Sequence, residues 1–117
     1  MIKIYTYRNC STCKKAIKFL KDNSLNFEEH PIRETPPTIN ELKTMLASYD
    51  HEVKYLFNRS GQDYRAMNLK DKLDSMSIDD TLNLLHSNGN LVKRPFLLSN
   101  KLNTVGFKED IWQELLK

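Results

Sequence analysis

The sequence predicts an α/β fold: a thin four-stranded mixed sheet with helices packed on it, and a helical insertion over about 36–88. Three observations predict it. The chain opens on a strand-like alternation, passes directly to a helical apolar period, and returns to a strand-like run. A long middle stretch then carries helix caps and apolar residues three and four apart. The end returns to two apolar runs joined by a short polar loop, followed by one more helix. With 117 residues, 39% of them hydrophobic, the chain is expected to form a single domain spanning 1–117 with one modest core.

Taken in order, Ile2-Lys3-Ile4-Tyr5-Thr6-Tyr7 alternates apolar and polar as a strand does, and Arg8-Asn9 breaks it just before Cys10. In the run from Cys13 to Lys21, the apolar residues Cys13, Ala16, Ile17 and Leu20 predict a helix that Asp22-Asn23-Ser24 stops. Leu25 to His30 forms a second short strand, and Pro31 with Pro36-Pro37 ends this β-α-β unit. Thr38 to Glu41 reads as a capping box before a helix with Leu42, Met45 and Leu46 on one face. Asn58-Arg59-Ser60-Gly61 is a turn, Tyr64 to Leu73 is weakly amphipathic, and Ser77 with Asp80 caps a helix carrying Leu82, Leu84 and Leu85. Asn88-Gly89-Asn90 closes the insertion. Leu91 to Leu98 and Leu102 to Phe107 read as two strands joined through Ser99-Asn100-Lys101, and the last helix carries Ile111, Trp112, Leu115 and Leu116. This order suits a thioredoxin-like fold. Tyr49, Tyr55, Leu56, Phe57 and Tyr64 are expected in its core.

Composition narrows the function. Eighteen basic and fifteen acidic residues give a net charge of +3 and are mixed along the chain, so direct nucleic-acid binding is not expected. The N-terminus has no basic region followed by an apolar run, and no stretch is apolar enough to cross a bilayer, so the expected location is the cytoplasm, with no membrane partner. No glycine-rich phosphate loop is present, His30, His51 and His86 lack metal spacing, and no cofactor or metal is expected.

Both cysteines lie in one motif, Cys10-Ser11-Thr12-Cys13, where a strand gives way to a helix. Thiol–disulfide exchange needs a thiolate, which an ordinary cysteine scarcely offers near neutral pH. At a helix start, unpaired N–H groups and the positive end of the helix dipole face Cys10. Lys14 and Lys15 add charge but are expected to face solvent. Cys13, one turn on, is placed to attack a mixed disulfide on Cys10 and leave an internal Cys10–Cys13 disulfide. The bland alternative is a Cys13 that only packs into the core.

Four segments, in order and spacing, resemble the ArsC/Spx family of thioredoxin-fold proteins, which includes glutaredoxin-type arsenate reductases and Spx regulators that bind RNA polymerase. They are Tyr5-x-x-x-x-Cys10-Ser11-Thr12-Cys13-Lys14-Lys15-Ala16, Tyr64-Arg65-x-x-Asn68-Leu69, Lys93-Arg94-Pro95 and Val105-Gly106-Phe107. The resemblance implies that Arg94 approaches the Cys10 sulfur and that the Pro95 peptide is cis, exposing backbone to an extended thiol substrate. A guanidinium would favour the thiolate and offers a fork of donors to an oxyanion or carboxylate. It further implies three arginines around an arsenate oxyanion. Here Arg94 is matched, Asn58 with Arg59 beside it stands at the second position, and Gly106 stands at the third. Arg94, Pro95 and Arg59 are therefore the candidate substrate-binding residues, and Cys10, Cys13 and Arg94 the candidate catalytic ones. The implied reductant is a thiol, namely glutathione, glutaredoxin or thioredoxin. The alternative is an Spx-like regulator that docks on RNA polymerase through its helical insert and uses Cys10 and Cys13 as a switch.

Overall fold

The computed structural model describes residues 1–117. The sheet runs in the order β2-β1-β3-β4, where β1 is Ile2–Thr6, β2 Phe27–Pro31, β3 Phe96–Leu98 and β4 Thr104–Val105. β2 lies parallel to β1, β3 antiparallel to β1, and β4 antiparallel to β3. Helix α1 (Ser11–Asp22) crosses over between β1 and β2, as a parallel pair requires.

Alternation along β1 and β3 feeds two cores, one on each side of the sheet. Ile2, Ile4 and Leu97 face α1 and the C-terminal segment, where Ala16, Leu20, Trp112 and Leu115 close over them. Tyr5 and Phe96 face the other way into a larger cluster made by the insertion, with Leu42, Met45, Leu56, Phe57, Leu82 and Leu85 among its members. β2 is an edge strand whose Glu28 and Glu29 are exposed, charges that discourage pairing with another chain.

The insertion comprises α2 (Ile39–Ala47), α3 (Gln62–Ala66), α4 (Leu69–Lys72) and α5 (Ile78–Ser87). The Thr38–Glu41 capping box is formed in both directions, and Ser77 accepts from the Asp80 amide at 3.1 Å. The weakly amphipathic stretch from Tyr64 to Leu73 is not one helix. Asn68 adopts φ 52°, a left-handed conformation that asparagine tolerates, and divides α3 from α4.

Three further expectations are corrected. In α1, Phe19 rather than Ile17 joins the buried row, because its ring packs edge-on to Trp112 with centroids 6.1 Å apart. The two late strands are shorter than their apolar runs. Pro95 offers no N–H, and before it Leu91 to Lys93 pair with the insertion instead of the sheet: the Asn58 amide donates to the Leu91 carbonyl at 2.7 Å and the Lys93 amide to the Leu56 carbonyl at 2.8 Å. The C-terminal helix α6 (Glu109–Trp112) tightens into a 3-10 turn over Gln113–Leu116, whose three-residue period aligns Trp112 with Leu115 and leaves Ile111 and Leu116 exposed. No helix is long and apolar enough to cross a membrane.

Candidate active site

Cys10 is the N-cap of α1, in extended backbone with its sulfur turned back over the first turn. The Cys13 amide points at that sulfur, with N and Sγ 3.4 Å apart, and the Cys10 amide donates to the Tyr7 carbonyl at 3.0 Å. Both cysteines are free thiols; Cys10 is half-exposed and Cys13 buried. Lys14 and Lys15 face solvent.

The environment splits the two thiols. Burial works against a Cys10 thiolate, but the Cys13 amide and thiol, the Thr12 amide and the charge of Arg94 outweigh it, and the group is held below the ordinary cysteine range. Cys13 goes the other way. Burial, reinforced by the neighbouring Cys10, pushes it up to about 12. The two thiols are thus distinguished by position alone: one caps the helix, the other sits a turn inside it.

Cys10 opens onto a cavity of about 740 Å³ that also takes in Thr12 and Arg94. Its charged lining is entirely cationic, from Arg59, Lys93, Arg94 and Lys108, while Tyr49, Tyr55, Phe107 and Ile111 give it an apolar wall. Arg94 Nη1 is buried without a hydrogen-bond partner, and its guanidinium carbon lies 5.1 Å from the centroid of the Tyr7 ring. Arg59 similarly lies 5.5 Å over the ring of Tyr55. Asn58 and Gly106 belong to the same wall, so Arg59 enters the cavity beside the position where the family resemblance leaves an asparagine.

The structure therefore brings Cys10, Arg94 and Arg59 to one cavity and keeps Cys13 beneath Cys10. Pro95 does not line it. Its peptide with Arg94 is cis, it is buried, and its carbonyl accepts the Gly106 amide at 2.8 Å. Sequence reasoning missed Lys93 and Lys108 as cavity residues and assigned Tyr55 to the core, whereas Tyr55 is 39% exposed and forms part of the wall. Tyr49 is bound there by its hydroxyl, which accepts the Val105 amide at 3.0 Å across the edge of β4. Lys108 stands directly before α6 as Cys10 does before α1, but a lone lysine at a helix start carries no signal that a sequence reader can use.

The model of the ArsC family matches residues 5–115. The chain belongs to the ArsC family. Among its relatives is a protein of Bacillus subtilis named "Uncharacterized protein YusI", 43% identical over 97% of this chain and 96% of that one. A protein of Enterococcus faecalis named "Global transcriptional regulator Spx" is 30% identical over 94% of this chain and 82% of its own length. The crystal structure of a possible arsenate reductase from Streptococcus mutans, 37% identical, superposes with a TM-score of 0.90 over the whole of this chain and 98% of that one. Family members thus share the thioredoxin-like architecture seen here, with its four-stranded mixed sheet. The chain is thus similar both to a possible arsenate reductase and to a protein named a transcriptional regulator.

Proposed function

We propose that the protein is a thiol oxidoreductase acting on an anionic disulfide or oxyanion. One observation carries this reading: the activated thiol, Cys10, faces a sizeable cavity in which every charged side chain is cationic. On a disulfide, the Cys10 thiolate attacks one sulfur, the substrate S–S bond breaks, and the first substrate thiolate leaves. Cys10 is then uncharged, which removes the part of the Cys13 penalty that comes from its neighbour. Cys13 loses its proton and attacks the Cys10 sulfur, the second substrate thiolate leaves, and an internal disulfide remains. Two electrons pass to the substrate, and a thiol reductant such as glutathione, glutaredoxin or thioredoxin returns them. The reading assumes a reducing compartment, the cytoplasm, in which both thiols stay free.

Arg94 supports this chemistry by its charge beside Cys10 and by its place in the lining of the cavity that takes the substrate. Arg59 adds a second guanidinium, so an oxyanion such as arsenate meets two arginines and two lysines rather than the three arginines that the family resemblance implies. Replacing Cys13 by serine tests the order of steps. With oxidised glutathione as probe, the Cys13→Ser protein accumulates a mixed disulfide at Cys10, seen by mass spectrometry of the intact protein and mapped to that residue. Label spread over both positions in the native protein, with none trapped in the variant, would contradict the assignment.

A second reading is favoured by the relative named a transcriptional regulator. In it the helical insert docks on RNA polymerase and the two cysteines form a switch. Polymerase retained by a column of this protein, with no turnover of any thiol substrate, would choose it over the enzyme.

A further inference from the structure

Tyr7 fills an unspecified position of the Tyr5–Ala16 segment, yet it is connected to several parts of the site. Its carbonyl accepts the Cys10 amide at 3.0 Å. The Arg94 guanidinium lies over its ring, and the hydroxyl accepts from Asn9 at 3.1 Å and from Arg33 at 3.0 Å. Arg33 also sits over the ring, 5.0 Å from its centroid. Arg94, by contrast, makes no ion pair, and its buried Nη1 has no hydrogen-bond partner. An arginine has a long side chain with many rotamers, and its charge acts on a thiolate only while it stays near. Something must hold it there.

We propose that Tyr7 is a positioning residue: the face of its ring holds the Arg94 guanidinium beside Cys10, and Arg33 and Asn9 pin that ring through the hydroxyl. This rests on the reading that the Arg94 charge favours the Cys10 thiolate. The charged groups around the site are few. Arg94 and Lys93 come from the segment before β3, Arg59 from the insertion and Lys108 from the start of α6, and the titratable Cys13 thiol comes from α1. Tyr7 itself borders a second hollow with Arg8, Arg33, Glu29 and Glu34. Among the cations, Arg94 acts on Cys10 through its charge and on Tyr7 through cation–π contact.

The test is the pH profile of Cys10 alkylation by iodoacetamide, mapped by peptide mass, in the full chain and its variants. Tyr7→Leu removes the π face. It is expected to raise the Cys10 midpoint by about half a pH unit, read as a roughly threefold slower reaction at a pH below it. Tyr7→Phe keeps the face but loses the two hydroxyl contacts, and its profile is expected to lie between those of the leucine variant and the native protein. In an Arg94→Gln background, Tyr7→Leu adds nothing further. Tyr7→Met replaces the leucine variant if circular dichroism shows that the latter does not fold. A Tyr7→Leu profile equal to the native one, while Arg94→Gln alone shifts it, overturns the inference and leaves the reading of Arg94 standing. A shift that persists undiminished in the double variant, or a phenylalanine variant as impaired as leucine, also overturns it. If Arg94→Gln itself shifts nothing, the reading and the inference fall together.

Discussion

Replacing Cys10 by serine lowers turnover of a disulfide substrate to the uncatalysed background, a loss of at least about a thousandfold, without weakening the fold. The two halves of this expectation come from one position. Cys10 is the N-cap of α1, and its sulfur is the atom on which the Cys13 amide, the Thr12 amide and the Arg94 charge converge. A hydroxyl in that place is not ionised at neutral pH and cannot form a mixed disulfide, so the exchange has no first step. Yet serine is among the preferred N-cap residues and accepts the same amide bond better than a thiol does. The thermal midpoint of Cys10→Ser is therefore expected to equal or slightly exceed that of the native protein. Turnover measured beside thermal unfolding checks both. Residual turnover within about tenfold of native would show that the chemistry lies elsewhere.

Gly89→Ala is expected to be the most damaging small substitution in the structure. A Cβ there would stand 1.8 Å from the Ile32 carbonyl oxygen and 2.7 Å from its carbon, with the Arg33 Cα at 3.0 Å. These are backbone atoms, and the Ile32 amide is itself tied to the Thr6 carbonyl at 2.9 Å, so they do not swing aside as a side-chain tip would. One segment has to move. Relieving the overlap costs about 3 kcal/mol or more, a fall of roughly 10 °C in the thermal midpoint of a chain this size. The effect should also reach the site. Gly89–Leu91 is the turn from which the chain runs through Val92 and Lys93 to Arg94, and its pairing with residues 56–58 brings Arg59 to the same cavity. Thermal unfolding followed by circular dichroism checks the first consequence. A midpoint within a degree or two of native would mean that the backbone gives way easily there.

The parts of this fold that the sequence made legible are those set by local rules. The opening β-α-β unit, the Thr38–Glu41 box and the Ser77 cap each follow from periodicity or capping chemistry within a few residues, and all are present. What escaped was decided by distant partners. Leu91 to Lys93 look like strand and are hydrogen-bonded, but to residues 56–58, which no local pattern can reveal. Phe19 is buried because Trp112, far along the chain, packs against it. The candidate site divides in the same way. The motif and its place at a helix start identify Cys10 and Cys13, whereas the cationic wall gathers Arg59, Arg94 and Lys108 from three separate segments, and Tyr7 is tied to Arg94 across most of the chain. Tyr55 is the instructive miss: an aromatic beside Leu56 and Phe57 reads as core, but the short 3-10 turn at Val53–Leu56 sends the neighbours inward and leaves Tyr55 on the cavity wall.

The central claim is that Cys10 is a thiolate nucleophile activated by the start of α1 and by Arg94. Its most direct test is a titration of thiolate formation, followed by ultraviolet absorbance, in the native protein and in Arg94→Gln. A thiolate is favoured over the neutral thiol above its midpoint and reactivity falls as pH drops through it, so a lowered midpoint extends activity toward acid. The account predicts one thiol ionising below the ordinary cysteine range, a second that does not ionise until about 12, and an upward move of the first when Arg94 is replaced. Two thiols titrating together at the ordinary value, indifferent to Arg94, would contradict it.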